Sequence, residues 1–357
     1  MKILVATDAW KPQVNGVVRS LESVARALRE FGVEIEFLTP QGFASVPLPS
    51  YAEIRLALAT RRAISKRLEG AAIDDIHIAT EGPVGLAARR YCLRAQRSFT
   101  TSYHTRFPEY IAARTKIPEA LTYALLRRFH NASAGVMVST ASLADDLGKR
   151  GFQRLMHWSR GVDHRQFTPA KAAAFDLPRP IFLYAGRLAP EKNVEAFLEL
   201  DLPGSKVVVG DGPSRRALQA SYPRAHFLGT LIGDALAVQY ASADVFVFPS
   251  RTDTFGMVLI EALASGLPVA AFPVPGPLDV IGTSGAGVLD FDLRAACLAA
   301  LDIPRDKARA HALTFTWAKS ARQFLDNILL AKSVAPRRVA TDPAFLAERR
   351  EPTLPHR

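Results

Sequence analysis

Residues 180–212 read PIFLYAGRLAPEKNVEAFLELDLPGSKVVVGDG, and their alternation of apolar runs and turns decides the fold class. PIFLYAG and KVVVGDG are short apolar runs ending in glycine, the pattern of strands buried on both faces. Between them a Pro190-Glu191 turn opens a helix-like segment. Strand, helix and strand in succession form a parallel crossover unit. AHFLG, VFVFPS and LPVAAF continue the alternation towards the C-terminus, and KILVAT, VEIEFLTP, DIHIAT, SFTTSYH and GVMVST show it in the first half. The stretch HRQFTPAKAAAFDLPRP has three prolines and no period, so it reads as a linker. The expected architecture is therefore α/β. Two doubly wound, Rossmann-like domains, 1–168 and 178–316, face a cleft, with a helix over 317–332 and a loose tail over 333–357.

The composition excludes several classes. Hydrophobic residues make up 48% of 357, and mean hydropathy is +0.06, which suits a globular chain with two cores. There is no apolar run of about 18 residues that could span a membrane. MKILVATDAW meets Asp8 too early for a secretory leader. Two distant cysteines, Cys92 and Cys297, fit reduced core thiols in a cytoplasmic protein. The net charge of +11 is uneven: residues 1–168 hold 24 Lys and Arg against 15 Asp and Glu, and residues 169–332 hold 16 against 16. A basic half beside a neutral one points to an anionic partner, either nucleic acid or the acidic leaflet of a membrane. No nucleic-acid-binding motif accompanies it, so no nucleic acid is expected.

The chemistry concentrates in RTDTFGMVLIEALASGLP, residues 251–268. Asp253 lies in a loop with Phe255-Gly256. Met257 begins an apolar run, and Glu261 reads as the opening of a helix that Gly266-Leu267-Pro268 stops. Glycine permits close backbone approach, and the N–H groups of a helix start favour an anion. Two carboxylates flanking such a site suit a ligand with hydroxyls at both ends and phosphates between. In AGRLAPEKN, Arg187 and Lys192 beside a helix start could cradle a diphosphate; the bland alternative is a solvated loop. VVVGDGPSR has Gly210 and Gly212 after a strand but Arg215 where a dinucleotide motif needs its third glycine, so Gly212 reads as a turn near a base or sugar, or as a structural turn. In PQVNG, Gly16 opens the first helix and could bring backbone N–H groups to a phosphate. His104 ends a strand, where active sites of open α/β sheets collect. No zinc-ligand spacing and no G-x-S-x-G elbow is present, so neither a metal nor a cofactor is expected. PEALTYALLRRFHNAS, residues 118–133, sets Leu121, Leu125 and Phe129 four apart beside Arg127 and Arg128, and TRRAISKRL adds further basic residues. Such a helix can lie in a membrane interface or simply cover the core.

Taken in order, PQVNG, His104, SRGVD at 159–163, AGRLAPEKN, VVVGDGP and DTFGMVLIEALASGLP resemble glycosyltransferase family 4, which has the GT-B fold. The likeness runs from Met1 to about Lys332. It is greatest to the branch of bacterial mannosyltransferases and sulfoquinovosyl- and glucosyl-diacylglycerol synthases, where TDTFG recurs. Many members carry Glu at the position of Asp253. The resemblance implies a retaining, nucleotide-sugar-dependent hexosyltransferase without a metal, whose leaving phosphate takes the acceptor's proton. It implies that Glu261 binds the ribose, that Asp253, Phe255, Gly256 and Met257 hold the donor, and that Arg187 and Lys192 neutralise the diphosphate. Gly16 would lie close to that diphosphate, and His104 near the reacting carbon. The basic half would be the acceptor domain, with the 317–332 helix packing back on it. The acceptor would be a lipid such as diacylglycerol or a glycan. A lipid acceptor would place the protein in the cytoplasm, peripheral at the inner face of the cell membrane through its basic half.

Overall fold

The structure, a computed structural model, describes residues 1–11, 16–48, 51–68, 71–112, 115, 117–173 and 175–334. The first half contains β1 (Lys2–Ala6), α1 (Gly16–Leu28), β2 (Glu34–Leu38), β3 (Ser45–Leu48), β4 (Tyr51–Ala57), α2 (Arg61–Leu68) and β5 (Asp75–Ile78). It continues with α3 (Pro83–Arg94), β6 (Thr100–Tyr103), α4 (Phe107–Ala112), α5 (Glu119–His130), β7 (Gly135–Val138), α6 (Ala141–Lys149) and β8 (Leu155–His157). Six strands form a parallel sheet in the order β2-β1-β5-β6-β7-β8, and β3-β4 is a separate antiparallel hairpin. The hairpin and the three-residue β8 are absent from the sequence reading. Residues 335–357 of the expected tail and Pro12–Asn15 of PQVNG lie outside the described residues.

The second half contains β9 (Ile181–Ala185), α7 (Val194–Leu198), β10 (Ser205–Val209), α8 (Arg215–Ser221), β11 (His226–Gly229), α9 (Gly233–Ser242), β12 (Val245–Phe248) and α10 (Met257–Ala264). It ends with β13 (Val269–Ala271), α11 (Pro275–Val280), β14 (Gly287–Leu289), α12 (Leu293–Ala300), α13 (Arg305–Ala312) and α14 (Trp317–Val334). Its parallel sheet runs β11-β10-β9-β12-β13-β14. In each sheet the chain leaves the central strand in one direction and returns on its other side. The switch points are β1/β5 and β9/β12, and ligands of open α/β sheets collect at such crevices.

All five residues of β9 are buried, as are all four of β12, so helices cover both faces of the second sheet. α14 returns to the first half. Its Ala321, Phe324, Leu325 and Ile328 share a core with Ile3, Val5, Leu21, Val24 and Leu28. Trp158, fully buried, donates from Nε1 to Ser320 Oγ at 3.1 Å. Each large side chain so buried contributes roughly 1.5–3 kcal/mol.

α5 corrects one expectation. Leu121 and Leu125 are exposed, but Phe129 belongs to the core beside Ile78 and Ala88. Each four-residue step on a helix advances about 40° beyond a full turn, so two steps carry Phe129 off the stripe. Arg127 donates to the Arg150 carbonyl at 2.9 Å.

Candidate active site

The switch point of the second sheet gathers the loops that carry most of the candidate residues. Loops 186–188 and 210–212 touch backbone to backbone. A Cβ on Gly210 would sit 1.8 Å from the Gly186 carbonyl, and one on Gly212 2.3 Å from the Leu188 carbonyl. Gly212 thus permits a close approach of two loops, which fixes the stretch that carries Arg187 and Lys192. Arg187 is half-buried, and its carbonyl accepts from Tyr184 Oη at 2.8 Å. Lys192 closes the same connection and donates to both oxygens of Asp253, at 2.6 and 2.8 Å. Burial pulls the Lys192 ammonium down, yet Asp253 and the nearby Tyr110 and Tyr184 outweigh it, and its pKa is raised. Lys192 is therefore a fixed cation.

α10 starts at Met257, immediately after Gly256 in the left-handed region (φ +82°). Glu261 is consequently in the second turn, and the apolar run MVLI is the first turn; the expectation that Glu261 opens the helix is corrected. An all-round apolar helix is a buried one, which is why MVLI does not announce itself as a helix start. Glu261 is buried, 2% exposed as a residue. Arg19 of α1, from the other half, donates to its Oε1 at 2.7 Å, and Tyr240 of α9 donates to Oε2 at 3.3 Å. Burial raises the Glu261 pKa, against the lowering by Arg19 and by both hydrogen bonds. Phe255 is in the core and edges onto Phe315, with centroids 6.1 Å apart.

α1 and α10 meet across the cleft at their N-termini. A Cβ on Gly16 would come 3.3 Å from Met257 Cγ, and the Ser20 hydroxyl points to Met257 Sδ at 3.9 Å. Two helix starts converging there give a positive field suited to phosphate. A cavity opens alongside, lined by Arg19, Asp163, Phe167, Ile232, Glu261 and Trp317 among others. Asp253 is not among its lining residues, so the two carboxylates occupy different stretches of the cleft.

His104 follows β6. Its carbonyl accepts from Thr254 Oγ1 at 2.8 Å, and the Thr254 carbonyl accepts from Ser139 Oγ at 3.0 Å. The loop that holds Asp253 is thereby pinned to the first half. Sequence reasoning missed Arg19, Tyr110, Arg160 and Tyr240. Arg19 had a visible signal, three residues after Gly16 and hence on the same helix face. Tyr110 and Tyr240 reach the site only through tertiary packing.

Residues 14–166 match the family model described as Glycosyltransferase Family 4, and residues 179–303 the one described as Glycosyl transferases group 1. The chain is 32% identical over 317 residues to a GDP-mannose-dependent alpha-mannosyltransferase of Mycobacterium tuberculosis, covering 81% of this chain and 83% of that protein. It is 30% identical over 308 residues to the sulfoquinovosyl transferase SQD2 of Arabidopsis thaliana, covering 78% of this chain and 60% of that protein. In fold it is similar to a sucrose-phosphate synthase from Thermosynechococcus elongatus, with a TM-score of 0.74, 20% identity, and coverage of 93% of this chain and 99% of the other. Two parallel-sheet domains in the GT-B arrangement, family-model matches to both halves and these relatives lead to one conclusion: the chain belongs to glycosyltransferase family 4.

Proposed function

We propose that the protein moves a hexose, with retention of anomeric configuration, from a nucleotide sugar to a lipid acceptor at the cytoplasmic face of a membrane. The observation that carries the donor half is Glu261, a carboxylate enclosed in α10, lining the interdomain cavity and already matched by a cation and a phenol. A ribose diol offers such an oxygen pair two donors, and it takes the place of Arg19 as it binds. The diphosphate then lies against the α1 and α10 starts with Arg187 and Lys192, and the sugar reaches Asp253. The bond from the anomeric carbon to the phosphate oxygen breaks, and one to the acceptor oxygen forms on the same face. The acceptor's proton passes to the departing phosphate.

The lipid half of the reading rests on the first domain. Exposed Leu121 and Leu125 of α5 stand beside Arg128, and exposed Leu86 and Leu93 of α3 accompany Arg90 and Arg94. An apolar and cationic face suits an anionic leaflet. Among the described residues no helix is long and apolar enough to cross a membrane. The test is a panel of UDP-glucose, UDP-glucuronate and GDP-mannose, each radiolabelled in the sugar, offered with total membrane lipid and with soluble glycans. Label in the lipid phase supports the proposal; label only in soluble glycan moves the acceptor to a sugar or polysaccharide.

A further inference from the structure

Arg160, second residue of SRGVD, is 4% exposed. Its Nη1 donates to the carbonyls of Trp158 at 2.6 Å and Ser159 at 3.3 Å. Its guanidinium lies 4.2 Å from the centroid of the Trp158 ring. Its Nη2 is 3.1 Å from Nδ1 of His104. A guanidinium has donors only, so Nδ1 must offer its lone pair. The imidazole is then neutral and carries its hydrogen on Nε2. That nitrogen is enclosed and has no hydrogen-bond partner among the described residues. The same residue's carbonyl accepts from Thr254, next to Asp253. A buried donor without a partner, fixed beside the sugar end of the cleft, is poised for an oxygen of a ligand.

We propose that Arg160 is a positioning residue that holds His104 as the neutral Nε2–H tautomer, so that His104 meets the nucleotide-sugar donor as a hydrogen-bond donor and never as a base. This rests on the transferase reading above. The surroundings agree. Burial, then Arg160, then His77 and His130 all push the His104 pKa well below the usual histidine range. His77 is bonded to Thr100 and Ser102, His130 to Glu81 and Thr101, and Asp253 is engaged by Lys192. Among the described residues, then, no free carboxylate faces the ring to charge it. With Nδ1 blocked and Nε2 already protonated, His104 has no site for the acceptor's proton, which leaves that proton to the departing phosphate.

The primary test needs no variant of the lock and no substrate. In protein labelled with ¹⁵N at the histidine rings, with His104 assigned through a His104→Gln variant, Nδ1 should resonate as a bare nitrogen and Nε2 as a protonated one. Both should hold constant between about pH 5 and 8. A hydrogen on Nδ1, or a cationic ring in that range, overturns the proposal. Arg160→Met should free Nδ1, so that a share of the rings carry their hydrogen there, and should raise the ring's pKa part of the way towards the ordinary value, burial still opposing the charge, with a matching change in the pH profile of kcat. Arg160→Lys, still a donor without an acceptor, should restore the wild-type tautomer. Unchanged spectra and pH profile in Arg160→Met also overturn it; if that variant does not fold, the wild-type spectrum decides. His104→Ala should lower kcat by about 10²-fold, the loss expected for one donor to a developing charge, with KM little changed. A chain that turns over no nucleotide sugar sinks the transferase reading, whereas the ring spectrum tests the lock independently of turnover.

Discussion

Glu261 is held on one oxygen by Arg19 and on the other by Tyr240, and the size of that arrangement can be measured. Glu261→Ala should weaken nucleoside diphosphate binding by roughly 1.5–3 kcal/mol, the range for hydrogen bonds to a charged group. Calorimetry decides it: unchanged affinity removes Glu261 from the site. The cations differ in kind. Charge on a leaving diphosphate grows in the transition state, so Arg187→Ala and Lys192→Ala should lower kcat more than they raise KM. Each loss should be on the order of 3 kcal/mol. Steady-state kinetics showing a pure KM effect would overturn the role. The candidate residues were legible because glycine, proline and paired charges punctuate their loops. Arg160 was not, since its meaning lies in a contact with His104, 56 positions earlier in the chain, which periodicity cannot report.

Among the elements, α3 shows how one half organises its own switch point. Its N-cap, Gly82, has no side chain to cap with, and Pro83 follows. The cap comes from Asp8 after β1, which accepts from Val84 N at 2.8 Å and Gly85 N at 3.2 Å. A Cβ on Gly82 would lie 2.5 Å from Asp8 Cγ. Gly82→Ala should therefore expel the carboxylate and cost about 0.5–2 kcal/mol, the value of a cap, read from urea midpoints; an unchanged midpoint refutes the cap. Burial raises the Asp8 pKa against the lowering by these N–H bonds. A raised carboxyl binds more protons folded than unfolded, so its contribution to stability falls as pH climbs from the ordinary aspartate range through the raised value. The stability of wild type relative to Asp8→Asn should decline over that window and then level off; a rising difference contradicts the burial account.

The elements also show where pattern reading stops. β1, β5, β9, β10 and β12 were legible as short apolar runs because both faces are covered. The edge strands β8 and β14 are three residues each and mostly half-buried, so their composition hardly differs from a loop. Gly256 hid the start of α10 because an apolar first turn inside a core has no polar face to mark its period.

For the whole molecule, the charge difference between the halves makes an adsorption prediction. Each Lys or Arg near an anionic surface adds about 1 kcal/mol, and the attraction weakens as salt shortens the Debye length below about 10 Å. Co-sedimentation should require anionic vesicles, fall with salt, and fall again in Arg90→Glu/Arg128→Glu. Both side chains are exposed, unlike Phe129, which the core claims. Equal pelleting with neutral and anionic lipid, or none at low salt, removes the membrane from the account.

α14 completes the core of the first half with residues from the far end of the described chain. Gly161 accommodates its start so tightly that a Cβ there would lie 2.4 Å from Trp317 N. During synthesis the first sheet therefore leaves the ribosome with one wall missing, although domains generally fold as units, N-terminal first. Nascent chains arrested before residue 317 should remain protease-sensitive within residues 1–168, and an added 317–334 peptide should restore their resistance. The two halves are thus sequential in the gene but not in maturation: the part made first is finished last.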